Sequence, residues 1–75
     1  MKFLYKKFHD LSLEELFEIY LLRNKVFVVE QNCPYQDVDS IDKKAIHILL
    51  TEKKVLLAYC RIYLIKNFIQ IGRVV

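Results

Sequence analysis

At 75 residues, with a net charge of +3 and an apolar fraction of 55%, the chain can form one small domain, and a domain of this size buries only roughly 60 to 65% of its unfolded surface. Its longest uncharged apolar run falls far short of the ~18 to 20 residues that a bilayer span requires, so no membrane anchor is read there. The opening MKFLYKKF carries Lys2, Lys6 and Lys7 with no long apolar segment or small-residue cleavage site behind them, so no secretory signal is read either, and a soluble cytoplasmic protein is expected.

Residues 2 to 8 alternate as an edge strand, with Phe3, Tyr5 and Lys7 on one side and Leu4, Lys6 and Phe8 on the other. A helix follows. Ser12 stands at its cap, Glu15 at the reciprocal capping-box position, and Leu11 and Leu16 at the positions of a hydrophobic staple. Leu13, Leu16, Phe17, Tyr20 and Phe27 follow one stripe, and Ile19, Leu22, Val26 and Val29 a second, which predicts burial on more than one side. Because Val26, Val28 and Val29 are β-branched, the run from Val26 could also continue as extended chain.

A loop around Pro34 leads into a strand at 45–51, with Ile46, Ile48 and Leu50 on one face and Ala45, His47 and Leu49 on the other; both faces read as covered. After a polar turn at 52–54, a long strand from Val55 to Ile65 sets Leu56, Ala58, Cys60, Ile62 and Leu64 on its apolar face and Tyr59, Arg61 and Tyr63 on the opposite one. Lys66 and Asn67 turn the chain into a last strand, FIQIGRVV, that reads as running straight to Val75. The order is βαβββ in an α+β domain, and its short connections predict a mainly antiparallel sheet.

The chemistry concentrates in VFVVEQNCPYQDVDSIDKKAIH. Asp37, Asp39 and Asp42 superficially resemble a calcium loop, but the sixth and twelfth positions are Asp42 and Ile48 where glycine and glutamate are needed, so no metal site is read. Asp39 or Ser40 capping a short helical turn, or polar contact with a substrate, are the readings left open. Cys33 with His47 and an aspartate has the composition of a nucleophile with its base, without local support; two cysteines this far apart read as free thiols. Arg61, inside an apolar strand, needs a carboxylate partner, either Glu30 or a loop aspartate. Tyr59, Arg61 and Tyr63 could stack nucleobases, but the glycine-containing strand motif and second helix of an RNA-recognition sheet are missing, so neither nucleic acid nor membrane is expected as a partner.

The run LRNKVFVVEQNCPYQDVDSIDKKAIHIL, then AYCRIY, then IGRVV resembles the ElaA-like branch of the GNAT N-acetyltransferase superfamily. The elements of that pattern fall on Arg23, Val26 to Gln31, Pro34, Tyr35, Asp37, Asp39, Asp42, His47, Arg61 and Gly72 to Val74, and the topology is that of the N-terminal half of a GNAT fold. The resemblance implies transfer of an acetyl group from acetyl-CoA to an amine on a small molecule or protein. It implies a proton relay through Glu30 or His47, acceptor-side roles for Tyr35, Arg61 and Arg73, and placement of Val74 and Val75 beside the cofactor. The glycine-rich loop that holds the CoA pyrophosphate in that family does not occur in these 75 residues. By itself the chain is therefore expected to be inactive, to bind acetyl-CoA weakly, and to pair with a second copy through its open last strand. A non-catalytic α+β interaction module derived from an acetyltransferase is the alternative.

Overall fold

Ser12 opens an α-helix as its sequence predicts. In the computed structural model, which describes residues 1–31 and 36–75, the Ser12 hydroxyl accepts from the Glu15 amide at 3.0 Å and the Glu15 carboxylate accepts from the Ser12 amide at 2.8 Å. This box satisfies two of the amides that a helix start leaves without partners. The helix, α1, spans Leu13–Arg23 and follows strand β1, Lys2–Lys7. Lys6 reaches across from β1 to hold the same Glu15 carboxylate at 2.7 Å, so the cap also fixes the helix to the sheet.

Beyond Arg23 the chain neither stops nor becomes extended. It widens into a π-helical segment, Asn24–Glu30, which carries the β-branched residues in a looser coil than an α-helix allows. A 3-10 turn at Ser40–Lys43 follows, capped by the Asp39 side chain, whose carboxylate accepts from the Ile41 amide at 3.1 Å. Of the two functions left open for the aspartates, capping is therefore one that they perform.

Strands β2 (Ile46–Glu52), β3 (Val55–Ile65) and β4 (Phe68–Gly72) complete a meander in the order β1-β2-β3-β4, antiparallel throughout. Both hairpins close on two residues with positive φ, Lys53 and Lys54 (50° and 66°) and Lys66 and Asn67 (46° and 69°). That conformation matches the natural twist of the flanking strands, even though only asparagine among the four residues favours it.

Helix α1 covers one face of the sheet only. Ile19, Leu49 and Tyr59 form the buried centre there, with Leu4, Leu11, Tyr20, Leu22, Leu56 and Val75 packed around it. Two expectations are corrected. Both faces of β2 read as covered, but only the side that carries Ala45, His47 and Leu49, with Tyr59 and Arg61 of β3 at 3% and 2% exposure, is buried, whereas Ile46, Ile48 and Leu50 are half-buried and Leu64 on the same side of β3 is 74% exposed. The helix likewise buries Ile19 while Leu13, Phe17 and Leu21 stay exposed, so it packs on one side. An irregularity in β3 sharpens the division. Leu50 pairs with Ala58 but Thr51 pairs with Leu56, so Leu57 is an extra residue and Leu56 is turned to the helix side.

The last strand also departs from the straight course expected of it. Arg61 stands opposite Gly72, but Tyr59 exchanges both backbone hydrogen bonds with Val75, at 3.0 and 3.3 Å. Cys60 alone thus faces Arg73 and Val74 together, a β-bulge in which Arg73 takes the left-handed conformation at φ 52°.

Candidate functional site

Three arginines converge on the covered side of the sheet from three different elements. Arg23 ends α1, four residues after Ile19 and on the same buried stripe; Arg61 points inward from the middle of β3; Arg73 sits in the bulge. Between them lies the segment that carries Asp37, Asp39 and Asp42. Arg23 binds Asp37 at 3.0 Å and Asp42 at 2.7 Å, Arg61 binds Asp42 at 2.9 Å and Asp39 at 2.7 Å, and Arg73 binds Asp37 at 2.8 Å and approaches Asp39 at 3.5 Å. Each aspartate is shared by two arginines and each arginine by two aspartates. The six charges close into an alternating ring whose formal sum is zero.

Most of the ring is buried, with Asp39 and Arg73 at its exposed side. Arg23, Arg61 and Asp42 are almost wholly removed from solvent, and the side chain of Asp37 is 8% exposed. Charges at such depth are tolerated only when they are paired, and here every buried side-chain polar atom except Arg61 Nε also finds a hydrogen-bond partner among the described residues. Burial by itself would raise the Asp42 carboxyl, but hydrogen bonds and charge from Arg23, with Arg61 adding to them, hold it below the ordinary carboxylate range. The hydrogen bond from Arg61 holds Asp39 low against its partial burial. Burial would likewise weaken the protonation of Arg61, yet its bonds to Asp39 and Asp42 leave it more firmly protonated than a free arginine. The rings of Tyr20 and Tyr59 stand 5.6 and 5.8 Å from the Arg23 guanidinium and supply a cation–π environment for it.

His47 is the hinge between the ring and the core. It is fully buried; its Nε2 lies 2.7 Å from the Asp42 carbonyl and its Nδ1 2.6 Å from the Tyr59 hydroxyl. A carbonyl can only accept, so Nε2 carries the proton. Nδ1 of the neutral ring then accepts from the tyrosine. Burial lowers the His47 pKa and raises that of Tyr59, so each group stays in the neutral form this arrangement needs.

The structure disposes the residues expected at a site as follows. His47, Arg61 and Arg73 come together around the aspartates. Arg61 finds its carboxylates in Asp39 and Asp42, and Glu30 is not its partner. Glu30 lies exposed at the end of the π-helical segment and makes no side-chain hydrogen bond among the described residues. The bulge is tied to that segment, since the Arg73 guanidinium lies 6.0 Å from the centre of the Phe27 ring. Val75 is committed through both backbone groups to Tyr59, whereas Val74 is 65% exposed and takes part in no backbone hydrogen bond among the described residues. Tyr35, Cys33 and Pro34 lie outside the described residues. Cys60 is a free thiol, and among the described residues no group of acidic, histidine or cysteine side chains could hold a metal ion. No described helix is long and apolar enough to cross a membrane.

Arg23 is the residue that sequence reasoning left out of the site. Its place on the Ile19 stripe was the available signal, because an arginine there must either be exposed by a break in the helix or meet a buried anion. The Tyr59–His47 bond was also missed, because nothing local marked two residues on different strands as partners.

Comparison with known proteins adds to this geometry. No protein-family model matches the chain. A UPF0039 protein of Schizosaccharomyces pombe is 47% identical over 77 residues, a match that takes in all of this chain and 51% of that protein. Protein ElaA of Escherichia coli is 49% identical over 55 residues, which is 71% of this chain and 36% of that one. The crystal structure of an acyl-CoA N-acyltransferase from Pseudomonas aeruginosa superposes with a TM-score of 0.91 at 40% identity, over 99% of this chain and 54% of that one. That of Escherichia coli ElaA gives 0.89 at 39% identity, over 99% and 53%. The chain belongs with the ElaA-like GNAT proteins. It spans about half the length of the relatives it matches, and within that span the α+β arrangement of this GNAT unit is the same.

Proposed function

We propose that this chain forms the acceptor-side part of an acetyltransferase that moves an acetyl group from acetyl-CoA to an amine. The observation that carries the reading is the bulge at Arg73 and Val74. It takes the Val74 amide out of the ladder to β3, so that it makes no backbone hydrogen bond among the described residues, next to the ring of ion pairs. Transfer to an amine forms a C–N bond, breaks the C–S bond of the thioester and releases a proton from the amine. A fixed N–H aimed at the thioester oxygen stabilises the charge that develops there, and such a donor contributes about 2.7 to 4 kcal/mol in comparable sites. Val74 is the residue we assign to that task, with Val75 anchoring the strand beside it.

The ring then acts as a brace. By tying the 37–42 segment to α1, β3 and the bulge, it holds that segment and the bulge at a set distance. Arg61 and Arg73 serve the acceptor side by this route, since their charges are already committed to aspartates. Collecting the proton falls to Glu30, which solvent reaches, in preference to His47, whose two ring nitrogens are both engaged.

The test is release of free CoA from acetyl-CoA on addition of a panel of amines. The 75-residue chain alone is expected to release none and to show no saturable acetyl-CoA binding at micromolar concentration. The same chain joined to the unmatched half of the Schizosaccharomyces pombe relative is expected to release CoA, and Glu30→Gln to slow it by roughly 10²-fold or more. No release from the joined protein with any amine would overturn the reading.

A further inference from the structure

Among the described residues, positive φ occurs at five non-glycine positions, and four of them make up the two hairpin turns, where the turn requires it. The fifth, Arg73, stands outside any hairpin turn. A left-handed residue in a bulge is usually glycine, because a Cβ crowds the backbone there. The chain's single glycine, Gly72, immediately precedes Arg73, and its φ is not positive. The left-handed conformation therefore falls on the arginine although a glycine stands beside it, and something other than backbone freedom holds it there.

Strand alternation shows what this conformation accomplishes. Gly72 stands opposite Arg61 on the covered side of the sheet. Were the chain to continue straight, Arg73 would point to the open side, and Val74 would stand opposite Tyr59 and exchange both backbone hydrogen bonds with it. The left-handed residue instead brings the Arg73 side chain to the covered side, and Val75 takes the place at Tyr59, at 3.0 and 3.3 Å. Asp37 is the partner that meets it. Arg23 fixes Asp37 to α1 by donating to its Oδ2 at 3.0 Å and to its carbonyl at 2.6 Å. Arg73 then donates to Oδ1 at 2.8 Å and to the same carbonyl at 3.0 Å. Asp39, at 3.5 Å, and the Phe27 ring, at 6.0 Å, are looser neighbours. The two bonds to Asp37 need Arg73 on the covered side, and an interaction made in only one of two states shifts the equilibrium toward that state.

We propose that Asp37 is a positioning residue: by holding Arg73 inward it selects the bulged register beyond β4, with Val75 and not Val74 paired to Tyr59, and so frees the Val74 amide. Its meaning for catalysis rests on the role assigned to Val74 above, whereas the register itself is independent of acyl transfer.

The register is read by nuclear magnetic resonance on the isotope-labelled chain, as nuclear Overhauser contacts of the Tyr59 amide with the amide of Val75 (bulged) or Val74 (straight). Arg73→Ala, which leaves Arg23 paired with Asp37, is expected to pass the contact from Val75 to Val74, and Arg73→Lys, which keeps a cation within reach of Asp37, to retain it at Val75. Asp37→Asn is expected to behave as Arg73→Ala does. A bulged register kept in Arg73→Ala or in Asp37→Asn overturns the proposal. Because Asp37 also compensates the buried Arg23, Asp37→Asn can unfold the chain; Asp39→Asn then decides between the two aspartates, and a straight register in that variant overturns the assignment to Asp37. In the chain joined to the unmatched half of the Schizosaccharomyces pombe relative, Arg73→Ala is expected to lower kcat for CoA release by roughly 10²-fold, the loss of one donor to the thioester oxygen, with the KM for the amine little changed. A straight register with kcat unchanged overturns the positioning role. No release from the joined parent overturns the acetyl-transfer reading instead, and the register is still decided by the resonance measurement.

Discussion

The two faces of the sheet invert the usual relation between polarity and burial. The face that carries His47, Tyr59 and Arg61 is sealed around those three residues, while the one that carries Leu64, Ile69 and Ile71 is open. What decides the matter is whether a partner surface exists for each. The first face meets α1 and three aspartates that neutralise its arginines; the second meets nothing among the described residues. The difference teaches that apolar alternation shows which residues can be buried, whereas the placement of countercharges shows which face of this unit is complete.

The sharpest way to break that contrast is at Asp42, which joins two arginines, caps its own turn and offers its carbonyl to His47. Asp42→Asn removes the charge while keeping the shape. It is expected to cost about 3 to 5 kcal/mol, because Arg23 and Arg61 are left under-compensated in the interior. Against a total stability of about 5 to 15 kcal/mol for a whole domain, this should leave the chain largely unfolded in a urea titration followed by circular dichroism. Replacing Ile71, on the other face, should do nothing of the kind.

A smaller effect is expected from pH. The folded state holds His47 neutral with a lowered pKa, whereas the unfolded chain titrates near the ordinary value of 6.5. As pH falls below 6.5, the unfolded state takes up a proton that the folded state refuses, so stability declines. Asp39 and Asp42, both lowered from 3.8, add their loss only as pH falls below that value, and Glu15, lowered from 4.5, only below its own. The window between 6.5 and about 5 therefore belongs to His47. Urea midpoints at pH 7.5 and 5.5 should differ in the parent and differ less in His47→Gln; equal differences in the two proteins would remove His47 from the account.

Smaller again is the helix cap. Ser12→Ala deletes the acceptor for the Glu15 amide and is expected to cost about 1 kcal/mol, read as a shift of the urea midpoint with unchanged slope. The Lys6–Glu15 pair gives this cap a share in holding the covered face shut.

How much of this was legible beforehand follows the range of each interaction. The capping box, both hairpins, the four strands and the Asp39 cap are short-range features, and their residues stand within a few positions of one another. The family resemblance was carried by a pattern spread over most of the chain. What could not be read was long-range pairing. Arg73 meets Asp37 across 36 positions and Arg61 meets Asp39 across 22, so the ring is a product of the fold. The bulge was hidden for a related reason. FIQIGRVV alternates well enough to read as a straight strand, and only the return of Val75 to Tyr59 reveals the extra residue. The π-helical course of 24–30 was hidden because β-branched residues suit an extended strand equally well.

The least perturbing change should be one on the open face, and its smallness is informative. Ile69 is 71% exposed, so Ile69→Thr removes little buried apolar contact, and the β-branch that suits a strand is kept. The expected change in the stability of the free chain is within about ±0.5 kcal/mol, the range of ordinary surface substitutions. A loss well beyond that range would show that Ile69 is buried in solution, by self-association or by a rearranged sheet. Running the titration at two protein concentrations separates these cases: a loss that grows with concentration identifies a second copy on the face, and a constant loss places the contact within the chain. An unchanged midpoint at both concentrations leaves the open face as drawn, apolar and available.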